Sequence, residues 1–236
     1  MANVPFQSSD PSQAVLNESA SNSTRATPVT WIGLFVSLFG LILIRDAVRL
    51  IFPAPTTSVV AAREALIWAS AVGLLLLVRG LEKLPFTSIG LGTSVWWKSA
   101  LWGLVTAVLC GAAGGLLVWA TGYGHSKAST AFAALPLWLI TLIVLRAGFV
   151  EELFLRGYAI ERLQVLGLGR YLAATISLVI FALGHYTGGA ANILIALVLG
   201  GILTGFYLWR RDLVANIVAH TLVDFVGNVL PALFGK

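Results

Sequence analysis

The stretch Ala147-Gly148-Phe149-Val150-Glu151-Glu152-Leu153-Phe154-Leu155-Arg156-Gly157 decides how this chain is read. Two adjacent carboxylates and a guanidinium interrupt a run that is otherwise apolar. On insertion scales, a charged residue at the centre of a bilayer costs roughly 2.5 to 3.5 kcal/mol. Two acids side by side are therefore hard to explain as packing. They read first as a functional site whose partners have to be found. Two later apolar segments offer them: His185 in one, His220 and Asp224 in the other.

The surroundings place that stretch in lipid. Of 236 residues, 58% are apolar and only 11% charged, against about 25% charged in a soluble domain. Mean hydropathy is +0.91. The expected fold is all-α, a polytopic integral membrane bundle of about seven transmembrane helices. The net charge of +5 does not gather into a patch. Apart from Arg210-Arg211, the cations stand mostly at the ends of apolar runs, which is a topology signal and argues against a nucleic-acid partner. A single cysteine, Cys110, excludes an intrachain disulfide and any multi-cysteine metal site.

Residues 1–29 form a polar stretch without apolar periodicity, expected to be a disordered tail, and residues 30–236 form the membrane-embedded domain. Seven helices are expected, near Trp31–Phe52, Ser58–Val78, Val95–Ala120, Thr130–Gln164, Arg170–His185, Ala191–Trp209 and Asp212–Leu230. Trp96 and Trp97 suit an interfacial belt. The pairs Gly201/Gly205 and Gly111/Gly115 read as seams for close helix packing, and Asn192, Asn216 and Asn228 as interhelical hydrogen-bond glue. Lysine and arginine bias favours a cytoplasmic N-terminus in a plasma (inner) membrane.

From the expected cytoplasmic ends, Glu151 lies about 20 Å up, His185 about 22 Å, His220 about 13 Å and Asp224 about 20 Å. Three helices thus bring polar groups to a common level, which argues for one shared site. Glu152 and Arg156 are four apart with the acid first, the better order for an ion pair, and taken alone they read as structural support. Glu151 points elsewhere on the helix and can act on water as a general base, with His185 sharing that water or moving its proton. His220 and Asp224, also four apart, can orient each other, bind a metal or stabilise an oxyanion. Arg146 either snorkels or pairs with an acid of the site.

Glu-Glu-xxx-Arg (Glu151, Glu152, Arg156), Phe-xxx-His (Phe181, His185) and His-xxx-Asp (His220, Asp224) resemble, in order, the three motifs of the CPBP (CAAX-processing/Abi) intramembrane proteases, a family that includes Rce1-type prenyl-protein endopeptidases. Ala147-Gly148, Gly157-Tyr158, the Ile89-Gly90-Leu91-Gly92 loop and the run Leu213–His220 are similar too. The resemblance covers roughly residues 85 to 230. It implies an intramembrane endopeptidase acting on membrane-associated peptide or protein substrates, lipidated ones included. By position, Glu151, Glu152, His185, His220 and Asp224 form the catalytic set, with Arg156 and Phe181 in support. Family members are described as metalloproteases and as glutamate-dependent proteases, and both remain open here, with Glu151, His185 and His220 as the zinc set in the first case. Asp224 stands where the family often has Asn. An ionised Asp224 would repel an oxyanion, so it must be protonated, paired with His220 or bound to metal. The rival readings are a noncatalytic membrane scaffold or regulator, and a proton-coupled transporter.

Overall fold

The computed structural model describes residues 27–234, and residues 1–26 of the expected tail lie outside the described residues. In lipid, every backbone polar group has to be satisfied within the protein, which favours helices. Among the described residues there are eight helices and no strand. Helix α1 (Pro28–Ile51) starts ahead of the expected Trp31. Thr27 and Thr30 exchange side-chain and backbone bonds as a capping box, and Pro28 sits where its missing N–H is not needed. Helix α2 (Thr57–Leu76) runs on through a π-wound turn, Leu77–Leu81. Helix α3 spans Trp96–Thr121, with both Trp96 and Trp97 exposed at its start.

The expected single helix Thr130–Gln164 is instead two. A short α4 (Lys127–Ala133) meets a long α5 (Leu137–Val165) at 114°. Pro136 explains the break: its ring disfavours helical backbone at Leu135, and Pro136 is itself extended, with φ −57° and ψ 141°, at the N-cap of α5. Helix α6 covers Arg170–Gly184, α7 Gly189–Arg210 and α8 Leu213–Asp224, the last continuing through π-wound Phe225–Val229 to Phe234. Asp212 caps α8, accepting from the Ala215 amide at 3.1 Å and from the Ser99 hydroxyl of α3 at 2.7 Å. Proline at position 231 does not stop α8, whose helical backbone runs on through Leu230–Phe234.

Four helical segments are long and apolar enough to cross a bilayer: Thr57–Leu81, Trp96–Thr121, Tyr186–Arg210 and Leu213–Phe234. The bent α4–α5 pair makes a fifth if counted as one. The expected seven are not reached on that measure. Helix α6 shows why: its 15 residues extend about 22 Å, short of a hydrocarbon core of about 30 Å.

The middle of α5 is wound as a π-helix from Ala147 to Ile160, and within it only Phe149 and Glu151 escape full burial. A helix that is apolar nearly all round belongs at the centre of a bundle. Helices α1, α2, α6 and α8 surround it, while α3 packs on α8 and α7. The α3–α8 approach depends on Gly103, where a Cβ would sit 2.7 Å from Val218 Cβ. The expected seams are elsewhere than the contacts: Gly111, Gly115 and Gly205 face open space, and Gly201 makes only ordinary contact with Leu178.

One end of α5 is clamped by polar bonds. Arg162 forms an ion pair with Glu82 at 2.8 Å and donates to the Ser88 hydroxyl at 3.0 Å. Glu161 accepts from Tyr207 at 2.8 Å and from Nε and Nη2 of Arg211 at 2.7 and 2.6 Å. The Glu161 carboxylate holds the Arg211 guanidinium above its ordinary pKa. The Ile89–Gly92 loop joins this clamp, with the Gly90 carbonyl accepting from the Leu213 amide at 3.0 Å.

Candidate active site

The two glutamates of α5 are adjacent in sequence but take different surroundings. Glu152 is fully buried and accepts from three groups: Arg156 Nη1 at 2.9 Å, Asn216 Nδ2 at 3.0 Å and His220 Nδ1 at 2.7 Å. Arg156 continues inward, donating to the Gly200 carbonyl at 3.2 Å and the Thr204 hydroxyl at 3.3 Å. Its guanidinium lies 4.2 Å from the Phe181 ring centre, a desolvated cation–π contact. Gly200 leaves room for this stack, since a Cβ there would sit 2.6 Å from the Phe181 ring. The expected Glu152–Arg156 ion pair is therefore present, and it anchors α5 to both α7 and α8.

Glu151 faces a cavity of about 960 Å³ among the helices, open on one side, whose lining includes His185, His220, Asp224 and Arg146. That volume is at the upper end of the range for ligand pockets. Glu151, His185, His220 and Asp224, the polar groups that the sequence offers for one site, all open onto it. Glu152 does not; it lies behind His220. Glu151 is not free, however. Arg146 Nη1 donates to its Oε1, and no hydrogen bond reaches its Oε2 among the described residues.

His185 lies just past the end of α6, with φ −90° and ψ 10°. Its Nδ1 donates to the Phe181 carbonyl at 2.8 Å, leaving Nε2 without that proton. The surrounding turn is held from two helices: Arg45 of α1 donates to the Gly184 carbonyl, and Asn192 of α7 to the His185 carbonyl at 3.3 Å. The Phe181 ring lies 4.8 Å from the His185 ring and 6.2 Å from that of His220. Phe181 thus stands between the arginine and both histidines. On α8, His220 Nε2 is 3.6 Å from Asp224 Oδ2, within ion-pair reach but beyond hydrogen-bond distance. Pairing with His220 is one of the three states the sequence left open for Asp224.

The glycine before the glutamates brings α8 this close. A Cβ on Gly148 would fall 2.0 Å from the Thr221 hydroxyl, next to His220. Of the three asparagines, Asn216 and Asn192 do link elements, whereas Asn228 donates to the Asp224 carbonyl of its own helix at 3.0 Å. Arg146 pairs with acids rather than snorkelling: besides Glu151, its Nε donates to Glu64 of α2 at 2.8 Å. Glu64 is fully buried and is also held by Arg63 at 2.8 Å. Sequence reasoning passed over Glu64 because it falls near the start of its helix. The signal was nevertheless there, an acid within an apolar span.

Glutamate and two histidines suit zinc as donor types. Among the described residues, though, no three His, Cys, Asp or Glu side chains come together closely enough to hold a metal. Glu151 Oε1 is engaged by Arg146 and His220 Nδ1 by Glu152. As arranged, the residues do not fit a zinc set.

The fold and cavity define an all-helical integral membrane protein with ionisable residues lining a cavity among its helices. Over residues 133–226 the chain matches the family described as type II CAAX prenyl endopeptidase, Rce1-like. The matched segment contains all three motifs, from Glu151 to Asp224, and leaves α1 to α3 outside. This is the family that the motifs resemble. No curated protein and no solved structure matches the chain.

Proposed function

We propose that this protein is an intramembrane endopeptidase that hydrolyses peptide bonds of membrane-associated substrates, lipidated ones included. The observation that carries the reading is the opening of Glu151, His185, His220 and Asp224, all four inside the Rce1-like segment, onto one cavity. A substrate enters this mostly apolar chamber and sets its scissile carbonyl between α5 and α8. Water bound at the unengaged Oε2 of Glu151 loses a proton to that carboxylate and attacks the carbonyl carbon. His185, with Nδ1 tied to the Phe181 carbonyl, presents Nε2 as an acceptor that steers the same water. The proton then passes to the leaving amine. Positioned acid–base groups of this kind contribute about 10²- to 10⁴-fold.

His220 supplies the opposing polarity. Glu152 fixes its Nδ1, so that Nε2, when protonated, can donate to the oxyanion as it forms. Asp224 balances the resulting imidazolium. In this reading Glu152 and Arg156 never touch substrate; they hold His220 and Phe181 in place. The end of the bundle carrying Arg162, Arg170, Arg210 and Arg211 faces the cytoplasm.

The test is cleavage of quenched lipidated and unlipidated peptides by purified protein in bilayers, beside a Glu151→Gln variant. Glu151-dependent cleavage supports the proposal. Equal cleavage by wild type and Glu151→Gln overturns it.

A further inference from the structure

We infer that Glu64 and Arg146 are positioning residues for Glu151, holding it so that one carboxylate oxygen stays engaged and the other stays open. This inference rests on the proposed role of Glu151 as the base. The arrangement runs from α2 to the cavity with alternating charge. Arg63 donates to Glu64 Oε1 through Nε at 3.1 Å and Nη2 at 2.8 Å. Arg146 donates through Nε to Glu64 Oε2 at 2.8 Å and through Nη1 to Glu151 Oε1.

A guanidinium facing a single carboxylate tends to engage both oxygens with two parallel N–H groups. Here Arg146 instead divides its donors between two acids, Nε to a fully buried Glu64 and Nη1 to Glu151, so that its orientation is set by Glu64 rather than by a fork on Glu151. Glu151 receives one N–H on one oxygen. Its second oxygen is left toward the cavity, where the proposed reaction needs it. Without Glu64, nothing holds the Nε edge of Arg146, and the guanidinium is free to turn onto both oxygens of Glu151. The carboxylate would then remain in the site but lose its acceptor for water. An element outside the matched segment therefore sets the reactivity of the residue inside it.

A purely structural reading is that this network only ties α2 to α5. The two readings part in chemical labelling of Glu151. An apolar carbodiimide couples to protonated carboxyl groups, and peptide mass spectrometry locates the modified residue. In bilayers, Arg146→Gln should raise labelling of Glu151 roughly tenfold, since losing a close cation favours the protonated carboxyl by that much or more. Glu64→Gln should leave labelling at or below the wild-type level, because Arg146 then binds Glu151 more completely. Loosened packing would raise both. A rise in both variants, or none in Arg146→Gln, overturns the inference.

Kinetics provide the second arm. Glu64→Gln should lower kcat roughly tenfold, within the range for a single acid–base group, while KM stays within twofold and Glu64→Asp restores most of the rate. A normal kcat in Glu64→Gln overturns the inference. If Glu151→Gln itself cleaves normally, the proposed function fails instead, whatever the labelling shows.

Discussion

Arg156→Ala is the substitution whose consequences the packing states most directly. Arg156 and Glu152 are 1% and 0% exposed at the side chain and 2.9 Å apart. Removing the guanidinium leaves a carboxylate in the protein interior with only Asn216 and His220 to answer it. Breaking a buried pair from one side costs about 3–5 kcal/mol. The lost stack on Phe181 adds roughly 0.5–2 kcal/mol. A second variant, Arg156→Met with Glu152→Gln, removes both charges at similar volume. It should recover to within about 2 kcal/mol of wild type, since neutral replacements of a buried pair are often well tolerated. Cleavage should stay lost in the double variant, because His220 has no carboxylate to fix its Nδ1. The assay is unfolding by sodium dodecyl sulfate titration in mixed micelles, followed by tryptophan fluorescence, with peptide cleavage measured on the same samples. A loss below about 1 kcal/mol for Arg156→Ala, or a double variant as unstable as the single, would refute the reasoning from desolvation.

Three further outcomes are expected. His185→Ala and His220→Ala should each lower cleavage at least about a hundredfold while the proteins still insert and elute as folded species; retained cleavage by either would remove it from the mechanism. Gly148→Ala should destabilise by about 1–3 kcal/mol through overpacking, because the added methyl meets the Thr221 hydroxyl at 2.0 Å; unfolding titration at wild-type stability would mean that α8 can shift freely. Cleavage should survive exhaustive treatment with a zinc chelator, since Arg146 and Glu152 already engage donors that a metal would need. Loss of activity on chelation, restored by zinc and matched by stoichiometric metal in elemental analysis, would mean the site rearranges around an ion.

Much of the architecture was legible along the chain. Long apolar runs announce helices because lipid leaves the backbone no other partners. The spacing Glu152–Arg156 and His220–Asp224 announces shared faces because helical geometry is local. Even the agreement in depth of Glu151, His185 and Asp224 follows from rise per residue alone. The bend at Pro136 was marked by the proline, yet the apolar run continues across it and reads as one helix. The shortness of α6 was legible: the expected Arg170–His185 ends one residue past the observed helix, where Gly188-Gly189 follow.

Sequence by itself therefore determined the class of fold, the membrane setting and which ionisable residues stand where charge is expensive. Tertiary structure decided which of them meet. Glu152 rather than Glu151 receives His220 and Asn216, and Arg146 reaches across 82 positions to Glu64. The physical reason lies in what each level specifies. Hydropathy and helical rise set depth along the bilayer normal, and both can be computed from neighbours in sequence. The rotation of one helix against another depends on side-chain packing over the whole bundle, on gaps such as the one Gly148 leaves for Thr221, and no local pattern carries that information.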